Sequence, residues 1–151
     1  MLLRLTRIHP GLLLAALATF GLGVALYLST VALTGNLPVC GPIQGCVEVA
    51  TSEYAWIGPI PVAILGVGFS SLLLASVVGW WKTDDRRLLA AHYGLKLSGV
   101  TFEVYLLYLQ LFVIGAICIW CVLYGMSMSV GLVITIAAWR RRDRVPVGAG
   151  W

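Results

Sequence analysis

Charge is scarce in this chain. Only 11% of its 151 residues are Asp, Glu, Lys or Arg, and residues 10–47, 54–81 and 104–139 contain none at all. Soluble globular domains carry about a quarter charged residues, so that class is excluded. Histidine is nearly absent, with only His9 and His92, which leaves little material for an imidazole-rich metal centre. The net charge of +4 comes from short basic clusters that flank apolar runs. It therefore describes helix ends at a membrane, with no call for nucleic acid as a partner. Repeats and low-complexity tracts are also missing.

The chain is instead 60% hydrophobic. A bilayer core takes about 20 apolar residues per helix. The charge-free runs predict four spans at about 11–33, 60–81, 88–112 and 118–139. The expected fold is an all-α integral membrane protein, a single domain over 1–151. It is a four-transmembrane-helix bundle with a long extracytoplasmic loop, about 34–59, between the first two helices. The first run follows Arg4 and Arg7 and so resembles a signal peptide. It is longer than the roughly 7–15 residues of a signal core, so a retained helix is expected.

Orientation follows from the basic residues. Arg4 and Arg7 precede span 1, Lys82, Arg86 and Arg87 lie between spans 2 and 3, and Arg140, Arg141, Arg142 and Arg144 follow span 4. The remaining one, Lys96, lies inside span 3, and the opposite loops carry none. Positive residues stay inside, which places both termini in the cytoplasm. In a bacterium this means the inner or plasma membrane, with the loop in an oxidising compartment where disulfides persist.

That loop holds Pro38, Pro42, Pro59 and Pro61 together with Gly35, Gly41, Gly45 and Gly58. Its middle, residues 47–56, reads as a short interfacial helix, with Tyr54 and Trp56 at the depth where amphipathic rings gather. It is either a surface loop with an aromatic anchor or a lid over a site at the bilayer edge. Between spans 3 and 4, residues 113–117 leave room only for a tight turn. The glycines of the spans, Gly21, Gly23, Gly66, Gly68, Gly125 and Gly131, read as close-packing positions.

The four cysteines form two pairs on the loop side. Cys118-Ile119-Trp120-Cys121 is a C-x-x-C that opens span 4. Residues three apart share a helix face, so the two sulfurs can meet. Cys118 stands where helix N–H groups lack partners and the dipole is positive, conditions that lower a thiol pKa from about 8.5 toward roughly 3.5–7.5. Cys121 lies about 4.5 Å deeper, at 1.5 Å per residue. The split assigns disulfide exchange to Cys118 and an apolar electron acceptor to Cys121. The bland alternative is two inert cysteines acting as small hydrophobes. Cys40 and Cys46 flank Gly-Pro-Ile-Gln-Gly, a segment able to double back and bring them within disulfide reach. They are either a structural staple or an electron relay. Zinc is disfavoured, because Cys40 and Cys46 are spaced too widely for a second knuckle and no histidine lies nearby.

Lys96 and Glu103 are charges inside span 3, and such groups are functional candidates. Lys96 is near enough to the cytoplasmic end to snorkel there, and His9 and His92 read as interfacial. Glu103 lies deeper, either as a proton relay to a reduced quinone or as polar packing.

The ordered set of four spans, a loop reading C-G-P-I-Q-G-C-V-E-V-A-T-S-E-Y, the run E-V-Y-L-L-Y-L and then C-I-W-C resembles the vitamin K epoxide reductase family, in its bacterial style. The resemblance implies that Cys118 and Cys121 are the active-site pair that reduces a quinone. It implies that Cys40 and Cys46 shuttle electrons from a thioredoxin-like partner, and that Ser52 is the family's loop serine near the active site. One position departs. Mammalian members carry tyrosine at the fourth position after the second active cysteine, where this chain has Gly125, preceded by Tyr124. Quinone reduction is thus better supported than epoxide reduction, which stays an alternative. Many bacterial members carry a fused thioredoxin-like domain. This chain ends soon after span 4, so a separate partner is expected.

The reading is therefore a membrane thiol:quinone oxidoreductase. It reoxidises a separate thioredoxin-fold (DsbA-like) protein and delivers two electrons through Cys40/Cys46 and Cys118/Cys121 to a membrane quinone of menaquinone, ubiquinone or phylloquinone type, with no metal. A DsbB-type enzyme is a rival of the same chemistry, but it carries its C-x-x-C in the first outer loop and its wide pair in the second. A non-catalytic, disulfide-stapled membrane binding protein is the rival of another class.

Overall fold

The computed structural model describes residues 10–42 and 45–143. Helix α1 (Pro10–Leu33) begins on a proline, which has no N–H to leave unpaired at a first helical position. The loop that follows holds α2 (Gly45–Thr51), a 3₁₀ turn (Glu53–Ala55) and a minimal hairpin, β1 (Trp56–Ile57) with β2 (Ile60–Pro61). Trp56 lies opposite Pro61 and Ile57 opposite Ile60. Gly58 turns the hairpin at φ 62°, a conformation cheap for glycine. Helix α3 (Val62–Thr83) leads to α4 (Arg86–Tyr108), which runs on as a π-helical turn (Leu109–Ile114). Helix α5 (Ile119–Asp143) follows.

All four long helices are long and apolar enough to cross a membrane, and each expected span is met with shifts of a few residues at the ends. The α3–α4 turn is two aspartates. Asp84 takes the left-handed conformation and its N–H reaches the Trp80 carbonyl, and the Asp85 carboxylate caps α4 by accepting from Arg87 N at 2.8 Å. Of the short helix expected over residues 47–56, only residues 47–51 are α-helical, within α2; Glu53–Ala55 form the 3₁₀ turn and Trp56 begins the hairpin. The hairpin after it was not anticipated.

In a bilayer, helices associate through close packing more than through the hydrophobic effect. Gly21 lies under the Tyr124 ring and Gly66 against Ala25, which draws α1, α3 and α5 together. Gly23 and Gly68 have nothing within 4 Å of a would-be Cβ, so the packing role expected of them is not met. At the basic end Leu14, Val77, Trp80, Leu89 and Ala138 form one core cluster, and the Arg86 guanidinium sits 4.9 Å over the Trp139 ring.

Two expectations fail there. Lys96 does not snorkel: it is 1% exposed and its Nζ donates to Met128 Sδ at 3.5 Å. The space it occupies exists because Gly131 faces it, where a Cβ would come 2.6 Å from Nζ. His92 is not interfacial but fully buried, with Nδ1 2.8 Å from Ser76 Oγ. His9 lies outside the described residues.

Candidate functional site

Both cysteine pairs meet at the end of the bundle opposite the Asp84–Asp85 turn. Cys40 and Cys46 are joined in a disulfide with their Cα atoms 6.0 Å apart, and Cys118 and Cys121 are free thiols. Cys46 is fully buried and opens α2, whereas Cys40 is half-buried and precedes the turn. What brings Cys46 to the C-x-x-C is the residue before it. Gly45 lies against the Ile117 backbone, immediately ahead of Cys118.

The turn into α5 is organised by Gln110, a residue that sequence reasoning passed over. The π-helical turn buries both Leu109 and Gln110, because widening the helix by one residue per turn shifts the phase of its buried face. Such turns often lie at functional sites. The Gln110 carbonyl accepts from Ala116 N at 3.0 Å, and its side-chain oxygen accepts from Cys118 N at 2.8 Å. Gly115 makes the reversal at φ 71°. Residues 113–117 were expected to be a bare tight turn. They are instead the exit from a π turn that holds Cys118 by its backbone. Cys118 stands one residue ahead of α5, and its carbonyl accepts from Val122 N at 3.1 Å. It thus occupies the helix-entry position expected for it.

A cavity of about 720 Å³ lies beneath the loop. It is lined by Cys46, Cys118 and Cys121, by Ser52, Tyr54 and Trp56 of the loop, and by Glu103, Gln110, Phe69 and Tyr124 of the bundle. Small-molecule sites are typically apolar clefts of about 300–1,000 Å³ with a few converging polar groups, and this cavity has that character. Residues of α2, the 3₁₀ turn and the hairpin supply its wall on one side.

The sequence-derived candidates fare differently within it. Ser52 lines the cavity, but its hydroxyl donates to the Val49 carbonyl at 2.7 Å, so its hydrogen bond closes the end of α2 and does not reach a thiol. Glu103 reaches the same space as Cys121, and a Cβ on Gly125 would come 3.2 Å from its Oε2. Gly125 therefore makes room for the Glu103 carboxyl. The tyrosine beside it, Tyr124, turns its hydroxyl to Ser70 Oγ at 2.9 Å on the cavity wall. A second, smaller groove between α4 and α5 shares Glu103, Gln110 and Cys121 with the main cavity.

Compared with known proteins, residues 12–136 match the model of the vitamin K epoxide reductase family, a stretch that includes all four cysteines and all of the four long helices except the outer ends of the first and last.

Proposed function

The chain belongs to the vitamin K epoxide reductase family, and on that premise we propose that it is a thiol:quinone oxidoreductase that draws electrons from a thioredoxin-fold dithiol protein. Membership carries the coarser statement by itself: this is a multi-pass membrane oxidoreductase of quinone-linked disulfide chemistry. The single observation that supports the finer reading is that Cys46, Cys118 and Cys121 all line one apolar cavity, while Cys40, the disulfide partner of Cys46, is half-buried beside it in the chain's outer loop.

The roles follow from access. A partner thiolate attacks the Cys40 sulfur and releases Cys46 as thiolate; the partner's second thiol then resolves the mixed disulfide and leaves as the partner's own disulfide. Cys46 attacks Cys118 of an oxidised Cys118–Cys121 pair and frees the Cys121 thiolate. Cys40 attacks Cys46, restores the loop disulfide and frees Cys118. The reduced pair then passes two electrons to a quinone in the cavity and becomes a disulfide again. Thiolates are the competent form at each exchange, and the oxygens of the reduced quinone take two protons. Glu103, which lines the cavity with Cys121, supplies one of them in this reading, and Ser52 supports the roof by fastening the end of α2. Loop and cysteines belong on the extracytoplasmic side, because Lys82, Arg86 and Arg87 lie at the opposite end.

The test is anaerobic reduction of ubiquinone-1 or menadione, followed by absorbance, with purified protein and dithiothreitol as donor. Wild type is expected to turn over, and Cys118→Ser and Cys121→Ser are each expected to be inactive, since a two-electron dithiol–disulfide cycle requires both sulfurs. Near-normal turnover in either variant would sink the assignment.

A further inference from the structure

Val39, the residue before Cys40, is held by its backbone and not by its side chain. The residue is 74% exposed. Its N–H donates to the Tyr27 hydroxyl at 3.0 Å, and its carbonyl accepts from the Trp120 indole N–H at 2.9 Å. Tyr27 comes from α1 and Trp120 from the first turn of α5, and their rings meet with centroids 4.9 Å apart. Two helices distant in sequence thus grip both polar groups of one exposed residue, set between the buried Pro38 and the half-buried Cys40. Trp120 is moreover the residue between Cys118 and Cys121, so the grip ties the cysteine of the loop rim to the segment that carries the reactive pair.

We propose that Tyr27 and Trp120 are positioning residues that keep Cys40 in place whenever the loop disulfide is open. The proposal rests on the relay described above. While Cys40 and Cys46 are bonded, the bond itself holds them 6.0 Å apart at Cα. Once Cys46 has bonded to Cys118, that restraint is gone, and Cys40 has to find the Cys46 sulfur again. In that step the Cys40 thiolate forms a bond to Cys46 Sγ, the Cys46–Cys118 bond breaks, and Cys118 leaves as thiolate, with no other reactant consumed. Exchange requires the attacking sulfur to reach the target disulfide. A short segment free to swing would do so rarely, and the two hydrogen bonds to Val39 remove that freedom beforehand, which is the entropic advantage of a preset geometry.

The distinguishing signature is an intermediate. Trp120→Phe retains a ring against Tyr27 but loses the N–H, and Tyr27→Phe retains the ring but loses the hydroxyl. Each is expected to lower the ratio of turnover driven by a reduced thioredoxin-fold protein to turnover driven by dithiothreitol by about tenfold, the effect of losing one hydrogen bond from the resolving step. Each is also expected to accumulate a Cys46–Cys118 cross-link, read by mass spectrometry of acid-quenched, alkylated samples taken during protein-driven turnover. An unchanged ratio with no added cross-link overturns the clamp. So does an equal fall in both rates with a lower melting temperature, which would make the contacts merely structural. If wild type reduces quinone with neither donor, or Cys118→Ser stays active, the underlying relay fails and the clamp with it, a result separable from the first two.

Discussion

Gly45 lies so close to Ile117 that a Cβ on it would come within 2.5 Å of the Ile117 carbonyl oxygen and 2.7 Å of its nitrogen. The obstructing atoms are backbone and cannot swing aside. Each of these residues is followed by a cysteine, so the contact sets the approach of Cys46 to Cys118. Gly45→Ala is expected to push α2 outward and slow turnover with a protein dithiol about tenfold or more, as misplacement of reacting groups does. Turnover with dithiothreitol is expected to suffer far less. The measurement is quinone absorbance decay with each donor, and equal rates for Gly45→Ala and wild type with the protein donor would show that the contact does not govern the exchange.

Replacing Cys40 and Cys46 together separates two activities. Dithiothreitol can diffuse into the cavity and reduce the Cys118–Cys121 disulfide directly. A folded protein cannot pass the roof formed by α2 and the hairpin. The Cys40→Ser/Cys46→Ser variant is expected to reduce quinone with the small donor and to fail with the protein donor. Equal loss with both would make the loop disulfide a structural staple, and equal retention would mean that the partner reaches Cys118 unaided.

Gln110 accepts the backbone N–H of a buried Cys118. Gln110→Leu fills similar space and leaves that N–H without its acceptor, at a cost of roughly 1–3 kcal/mol. The expected outcome is a lower unfolding midpoint in detergent together with slower turnover from either donor, because the misplaced group is Cys118 itself. A midpoint and rates equal to wild type would remove Gln110 from the account of how Cys118 is held.

The basic residues predict sidedness. In intact cells or right-side-out vesicles treated with reductant, a membrane-impermeant maleimide is expected to label Cys40. In a variant lacking the four native cysteines, Lys82→Cys is expected to stay unlabelled until the membrane is permeabilised. The opposite pattern would invert the topology and place the thiol chemistry in the cytoplasm.

The four long helices were legible from the distribution of charge, because a bilayer imposes both the length and the polarity of whatever crosses it. Glycine, proline and cysteine spacing likewise announced a doubled-back loop and a C-x-x-C at a helix start. What the one-dimensional pattern could not hold was which groups face one another. Lys96 looked free to snorkel until Gly131 on another helix offered it a place, and His92 looked interfacial until Ser76 gave it a partner. Gln110 was an unremarked polar residue in an apolar run, since nothing local marks a π turn. Ser52 lines the same cavity as the thiols, but nothing in the sequence showed that the Val49 carbonyl takes its hydroxyl. Transmembrane length and local turn chemistry depend on neighbours along the chain and on the surrounding lipid. The juxtaposition of Cys46 with Cys118, and of Val39 with Tyr27 and Trp120, depends on how closely separate helices can approach. That distance is set by side-chain volume at contacts far apart in sequence, so it is decided only when the bundle closes.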